Sequence, residues 1–114
     1  MKDVILHNSR CSKSRGAIEL LEERGAGIPV REYLKEPPSE RDLREIVKLL
    51  GVRPIDIVRR GEKEFKDLGL RDATPDADVI RAMAEHPILI ERPIVVHNGK
   101  AAIGRPLENI LDIL

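Results

Sequence analysis

The sequence predicts a single α/β domain in which a βαβ unit and a ββα unit frame a helical segment. Three observations predict it. Short apolar runs stand at Val4-Ile5-Leu6, Ile28 to Tyr33 and Pro93 to Val96. Stripes of helical period fill the chain between the last two runs. Asn98-Gly99, the strongest two-residue hairpin signal, follows the third run. A length of 114 residues fits one domain, and 41% apolar residues suffice for one modest core.

The elements follow in order. Val4-Ile5-Leu6 suits a buried strand and is too short for the apolar core of a signal peptide. Ser14, Ala17, Ile18 and Leu21 then form the i, i+3, i+4, i+7 stripe of an amphipathic helix, which Gly25 and Gly27 stop. Ile28 to Tyr33 is the next strand, completing the βαβ unit. Pro37-Pro38 breaks the chain, and Ser39 with Asp42 resembles a capping box. Leu43, Ile46, Val47 and Leu50 line the helix that follows, and Gly51 closes it. Pro54 opens a short helix through Arg59. Glu62 to Leu68 is weakly patterned helix, and Asp76 to Glu85 is a further helix with Val79, Ala82 and Met83 inward. After the hairpin, Ala101 to Ile103 is the partner strand. Leu107, Ile110, Leu111 and Leu114 predict a last amphipathic α-helix packed on the domain. This order is a thioredoxin-like plan over residues 1–114, with a helical insertion at about 37–91.

Composition excludes several functions. Lys plus Arg and Asp plus Glu are 20 each, so no net field gathers nucleic acid or acidic membrane. Aromatic residues, at 2%, are too few for base-stacking platforms. No apolar stretch approaches the length of a membrane span. A cytoplasmic protein is the default expectation, and nothing in the sequence demands more than a monomer. His7, His86 and His97 are scattered, and one cysteine cannot complete a common zinc pattern.

That cysteine, Cys11, is the centre of the functional reading. It lies in the polar loop Asn8-Ser9-Arg10-Cys11-Ser12, directly before a helix. Unpaired backbone N–H groups and the positive helix end both favour a thiolate there. Arg10, Lys13 and Arg15 add positive charge, and such settings lower a thiol pKa. The same N–H groups can cradle an oxyanion, so nucleophile and anion site coincide. A lone cysteine is most often an inert small apolar residue, but these polar neighbours do not make a burial environment. Cys11-Ser12-Lys13-Ser14 has redox CxxC spacing with serine in the resolving place, where its hydroxyl could donate to the sulfur. With no second cysteine, any redox cycle must take its other thiol from another molecule. A phosphatase loop is excluded, because the arginine it needs six residues after the cysteine is Ala17.

The blocks His7-Asn8-Ser9-Arg10-Cys11-Ser12-Lys13-Ser14-Arg15, Tyr33 to Pro38 and Asp67 to Leu70 carry a family likeness. So do His86 to Val96, Ile103-Gly104-Arg105-Pro106 and Leu111 to Leu114. Together they resemble the glutaredoxin-dependent arsenate reductase family (ArsC-like), over essentially the whole chain. Ser9, where proline is usual, and Ser12-Lys13 place it with a single-cysteine, arsenate reductase-like side branch. The resemblance implies the thioredoxin-like fold and Cys11 as nucleophile. It implies Arg59, Arg92 and Arg105 as oxyanion-binding residues, with Arg60 adjacent to the first. His7, Asn8, Ser14 and Arg15 match the residues that support the thiolate, and Pro93 matches a cis-proline. It further implies reduction of arsenate to arsenite, with no bound cofactor, glutathione as co-substrate and glutaredoxin as partner. Two other readings share the fold. A transcriptional adaptor that binds RNA polymerase typically carries a full CxxC pair, which Ser14 breaks here. A monothiol glutaredoxin, or a thiol oxidoreductase with another substrate, shares the Cys-x-x-Ser spacing.

Overall fold

A computed structural model describes residues 1–114. The contacts divide the chain into two units, Met1–Glu36 with Arg92–Leu114, and Pro37–Glu91.

The first unit carries a four-stranded sheet. Its strands are β1 (Val4–His7), β2 (Val30–Glu32), β3 (Ile94–His97) and β4 (Lys100–Ile103), in the order β2-β1-β3-β4. β1 and β2 are parallel and joined through the helix α1 (Ser12–Glu23), while β3 runs antiparallel to both β1 and β4. This is the thioredoxin-like arrangement. The register pairs Ile5 with Val95 and Leu6 with Ile94, so alternate residues point to opposite faces. Ile5 and Val95 join Ala17 and Leu21 of α1 and Ile110 in one apolar cluster. Leu6, Ile94 and Val96, on the other face, are fully buried as well. Continuous apolar runs are what strands buried on both faces require.

Asn98 and Gly99 both adopt positive φ, 49° and 75°, the conformation of a two-residue hairpin turn that follows the twist of its strands. Asp3 braces the turn by accepting from the Asn98 N–H at 3.0 Å and meeting His97 Nδ1 at 2.8 Å.

The second unit is built on α2 (Glu40–Leu50), α3 (Lys63–Asp67) and α4 (Asp76–Glu85), with 3-10 turns at Pro54–Ile57 and Pro87–Leu89. Ser39 and Asp42 form the reciprocal capping box at the start of α2, and Gly51, at φ 69°, ends it. Leu43, Ile46 and Val47 are buried, as are Val79, Ile80 and Met83 of α4, and the two helices pack on each other. Val58 and Ile90 make an antiparallel bridge, flanked by Arg59 N–H to Leu89 O at 2.7 Å and Glu91 N–H to Ile57 O at 2.8 Å. No helix is long and apolar enough to cross a membrane.

Three expectations are corrected. β2 spans Val30–Glu32 only, because Pro29 has no N–H for a ladder, though its carbonyl accepts from Ile5 at 2.9 Å. The segment opened by Pro54 is a single 3-10 turn ending at Ile57, and Arg59 belongs to the bridge beyond it. The terminal segment, Leu107–Ile113, is 3-10 and not α-helical. With three residues per turn, Leu107, Ile110 and Ile113 stack along one edge. These are the three that pack on the cluster around Ile5 and Val95, while Leu111 and Leu114 stay 37% and 41% exposed. Ile110→Ala is therefore expected to cost about 2–5 kcal/mol in urea unfolding. Leu111→Ala should stay within about 0.5 kcal/mol of the parent protein. Equal effects of the two would restore the α-helical register, and truncation from Leu107 onward should lower the melting temperature.

Candidate active site

Cys11 is the N-cap of α1, with extended backbone angles of φ −99° and ψ 121°. The N-cap position sets the sulfur at the first turn of the helix, whose leading N–H groups have no partner within the helix. The loop before it is tightly wound. Cys11 N–H donates to Asn8 O at 3.0 Å, and Arg10 N–H to Asn8 Oδ1 at 3.0 Å. Arg15 Nη1 donates to Ser9 O at 2.8 Å, so this arginine clasps the loop.

The expected hydrogen bond from the Ser14 hydroxyl to the sulfur is not made. Ser14 is fully buried, and its Oγ accepts from Asn8 N–H at 3.0 Å and meets His7 Nδ1 at 2.8 Å. The three groups are enclosed together, so the hydroxyl, the imidazole and the Asn8 amide satisfy one another. Burial, the largest influence, depresses the His7 pKa; the Glu32 charge and the Ser14 contact act the other way, and Arg15 adds to the lowering. Ser14 serves Cys11 through its main chain instead.

At the sulfur, partial burial is the largest single influence and pushes the thiol up. The Ser14 N–H, a hydrogen bond from the Arg92 guanidinium, the Lys13 N–H and the Arg92 charge together outweigh it, leaving the pKa below its ordinary value. Lys13 thus acts through its amide. Arg105 Nη2 lies 3.6 Å from Sγ, and Arg105 Nε donates to Arg92 O at 2.7 Å. The two arginines are therefore coupled to each other as well as to the sulfur.

Their backbone is equally constrained. The Arg92–Pro93 and Arg105–Pro106 peptides are both cis, and Gly104 N–H donates to Pro93 O at 2.9 Å. A Cβ on Gly104 would lie 2.8 Å from Pro93 Cγ and 2.9 Å from Ile110 Cδ1. Only glycine lets the strand pass the proline ring this closely. Asn109 Nδ2 donates to the carbonyls of Ile103 and Arg105, at 3.2 and 3.3 Å, and steadies the same turn.

Arg59 lies in the Pro37–Glu91 unit and has carboxylate partners there. Its Nε is 3.2 Å from Glu62 and its Nη1 3.5 Å from Glu91. Arg60 pairs with Asp72 and sits over the Phe65 ring at 5.7 Å. No group of three or more His, Cys, Asp or Glu side chains could hold a metal. Sequence reasoning missed Gly104, the cis bond at Pro106 and Glu32. Glu32 pairs with His7 in the β1–β2 register, bonds Lys35 at 3.1 Å and is held in its ionised form by Lys35 and the Ser9 side chain. Gly-Arg-Pro beside a second Arg-Pro was the one available signal, and it shows a crowded turn only once the strands are paired.

A low thiol pKa has a defined sign. The ionised Cys11 stabilises the fold, fully above the unfolded thiol's pKa, and that contribution is lost as pH falls through the lowered folded value. The rate of iodoacetamide alkylation against pH should inflect below that of free cysteine, and Arg92→Ala should move the inflection up. An unmoved inflection would remove Arg92 from the sulfur. Gly104→Ala should cost about 1–3 kcal/mol through overpacking against Pro93 and Ile110. Unchanged urea denaturation would contradict that contact.

The ArsC family profile matches residues 6–113. The chain is 50% identical to the arsenate reductase of Neisseria meningitidis over 112 residues, covering 96% of each protein. It is 40% identical to that of Haemophilus influenzae, covering both chains in full. Among solved structures, the arsenate reductase from Vibrio cholerae superposes with a TM-score of 0.93 at 45% identity, over 100% of this chain and 98% of that one.

Proposed function

The chain belongs to the ArsC family, and on that premise we propose that it reduces arsenate to arsenite through Cys11, with glutathione and glutaredoxin as reductants. The observation that carries this reading is the setting of the sulfur. A thiol of lowered pKa rests on the Lys13 and Ser14 N–H groups and beside the guanidinium groups of Arg92 and Arg105. Such a site favours two negative charges that would otherwise repel, the thiolate and the anion it attacks.

In this reading the Cys11 thiolate attacks arsenic, and an As–O bond breaks as the departing oxygen takes protons and leaves as water. Arsenic is still pentavalent in that adduct. Planar guanidinium donors suit the oxygens that remain. Reduction then needs two thiols, and Cys11 is the only cysteine in the chain. One glutathione and one glutaredoxin thiol would leave joined as a disulfide, carrying two electrons into arsenic and releasing arsenite and a free Cys11. Arg59 stands in this scheme on the family resemblance alone. The names of the relatives support arsenate as substrate.

The test is arsenate-dependent NADPH oxidation, coupled through glutathione reductase with glutathione and glutaredoxin, with arsenite detected directly. Wild type should turn over and Cys11→Ser should lose all measurable rate above background. A folded wild-type protein with a titratable thiolate but no arsenite formation would reject arsenate as the substrate.

A further inference from the structure

A cavity lies on the β2 side of the Cys11 loop. Its volume is about 240 Å³, and its lining includes His7, Ser9, Arg10, Glu32, Leu34 and Lys35. All of them belong to the sheet-bearing unit. The charges at its wall are two cations, Arg10 and Lys35, and one carboxylate, Glu32. Lys35 Nζ is 3.1 Å from Glu32 Oε2, and the Lys35 and Ser9 side chains keep that carboxylate ionised. Leu34 offers an apolar surface, 42% exposed.

We propose that this cavity is the seat of the γ-glutamyl arm of glutathione. The inference rests on the reading of Cys11 as a nucleophile resolved by an external thiol. A free α-amino acid head is a zwitterion, and its ammonium matches Glu32 while its carboxylate matches Lys35 and Arg10. Together they complete an alternating set of charges in which the existing Lys35–Glu32 pair is already half formed. The volume falls below the roughly 300–1,000 Å³ of pockets for drug-sized ligands, which suits one arm of the tripeptide and not the whole. The arm's two methylenes can lie along Leu34. Arg10 precedes Cys11 directly, one Cα spacing of about 3.8 Å away. A ligand anchored beside it can carry its central thiol toward a group held on the Cys11 sulfur, while its glycine carboxylate extends into solvent.

The experiment needs no arsenate, so its outcome is separate from that of the proposed activity. Oxidised glutathione and hydroxyethyl disulfide each react with the Cys11 thiolate. The disulfide bond breaks, a mixed disulfide forms on Cys11, and one small thiolate leaves. The ratio of the two rates, followed by mass spectrometry, reads recognition of the peptide arms and cancels changes in sulfur reactivity. Wild type should favour oxidised glutathione, and Glu32→Gln and Lys35→Gln should each reduce that preference about tenfold. A ratio unchanged in both variants overturns the proposal, provided that each variant keeps its melting temperature. The disulfide of γ-glutamylcysteine should retain the preference and that of cysteinylglycine should lose it. The reverse order would place the glycine end in the cavity and overturn the assignment to the γ-glutamyl arm.

Discussion

The hydroxyl of Ser14 ties the end of β1 to the first turn of α1, and the position of the reactive sulfur depends on that tie. Its oxygen takes the Asn8 N–H at 3.0 Å and is hydrogen-bonded to His7 Nδ1 at 2.8 Å. All three residues are buried. An unpaired buried N–H costs about 1–3 kcal/mol, so the loop has a strong reason to keep the conformation in which Asn8 meets Ser14. Cys11 lies between the two tied residues. Once its amide is bonded to Asn8 O, the chain is directed into α1 with the sulfur facing the helix N–H groups. A serine at the place of a resolving cysteine is thus a structural member of the site, not a redox pair with one partner missing.

The other wall of the site is set by crowding. Gly104 passes so near Pro93 that a methyl group would collide with the ring and with Ile110. Ile110 in turn fills the cluster of Ile5, Ala17, Leu21 and Val95. Packing of the terminal segment is therefore connected through Gly104 to the backbone that carries Arg92 and Arg105. The Arg105 Nε bond to Arg92 O closes the arrangement. The long, flexible Arg105 side chain loses much of its freedom before any anion arrives, so less conformational entropy remains to be lost on binding.

Local signals were legible in the sequence wherever one residue and its near neighbours decide the outcome. The Ser39–Asp42 capping box, the Asn98-Gly99 turn and the placing of Cys11 ahead of α1 are all of this kind. The tail was misread because Leu107, Ile110, Leu111 and Leu114 satisfy a helical period. The contact with Ile5 and Val95 selects the three-residue repeat through Ile113 instead. The Ser14 hydroxyl was aimed at the wrong atom for a similar reason. CxxS spacing speaks of the sulfur, but burial beside His7 and Asn8 decides which partners are in reach. Arg92 and Arg105 are separated from Cys11 by most of the chain, and no periodicity marks them. The family resemblance and their Arg-Pro context selected them, whereas Arg59, whose nitrogens face Glu62 and Glu91, stood on the resemblance alone.

The balance at the sulfur explains why these parts occur together. Partial burial alone would raise the Cys11 pKa and leave a poor nucleophile near neutrality. Full exposure would ease ionisation but weaken every electrostatic contact to an incoming anion. The site takes the intermediate course. Cys11 is partly covered, and fixed donors from Lys13, Ser14 and Arg92 more than offset the desolvation. The amide dipoles are fixed by the backbone at the start of α1, so they do not reorganise when charge arrives. A set of donors that stabilises one negative charge at the sulfur is also suited to a second beside it. With a single cysteine, the chain has no internal partner with which to discharge that sulfur as a disulfide. What remains is a nucleophile beside a cationic cradle, which is the requirement for attack on an oxyanion followed by reduction from outside.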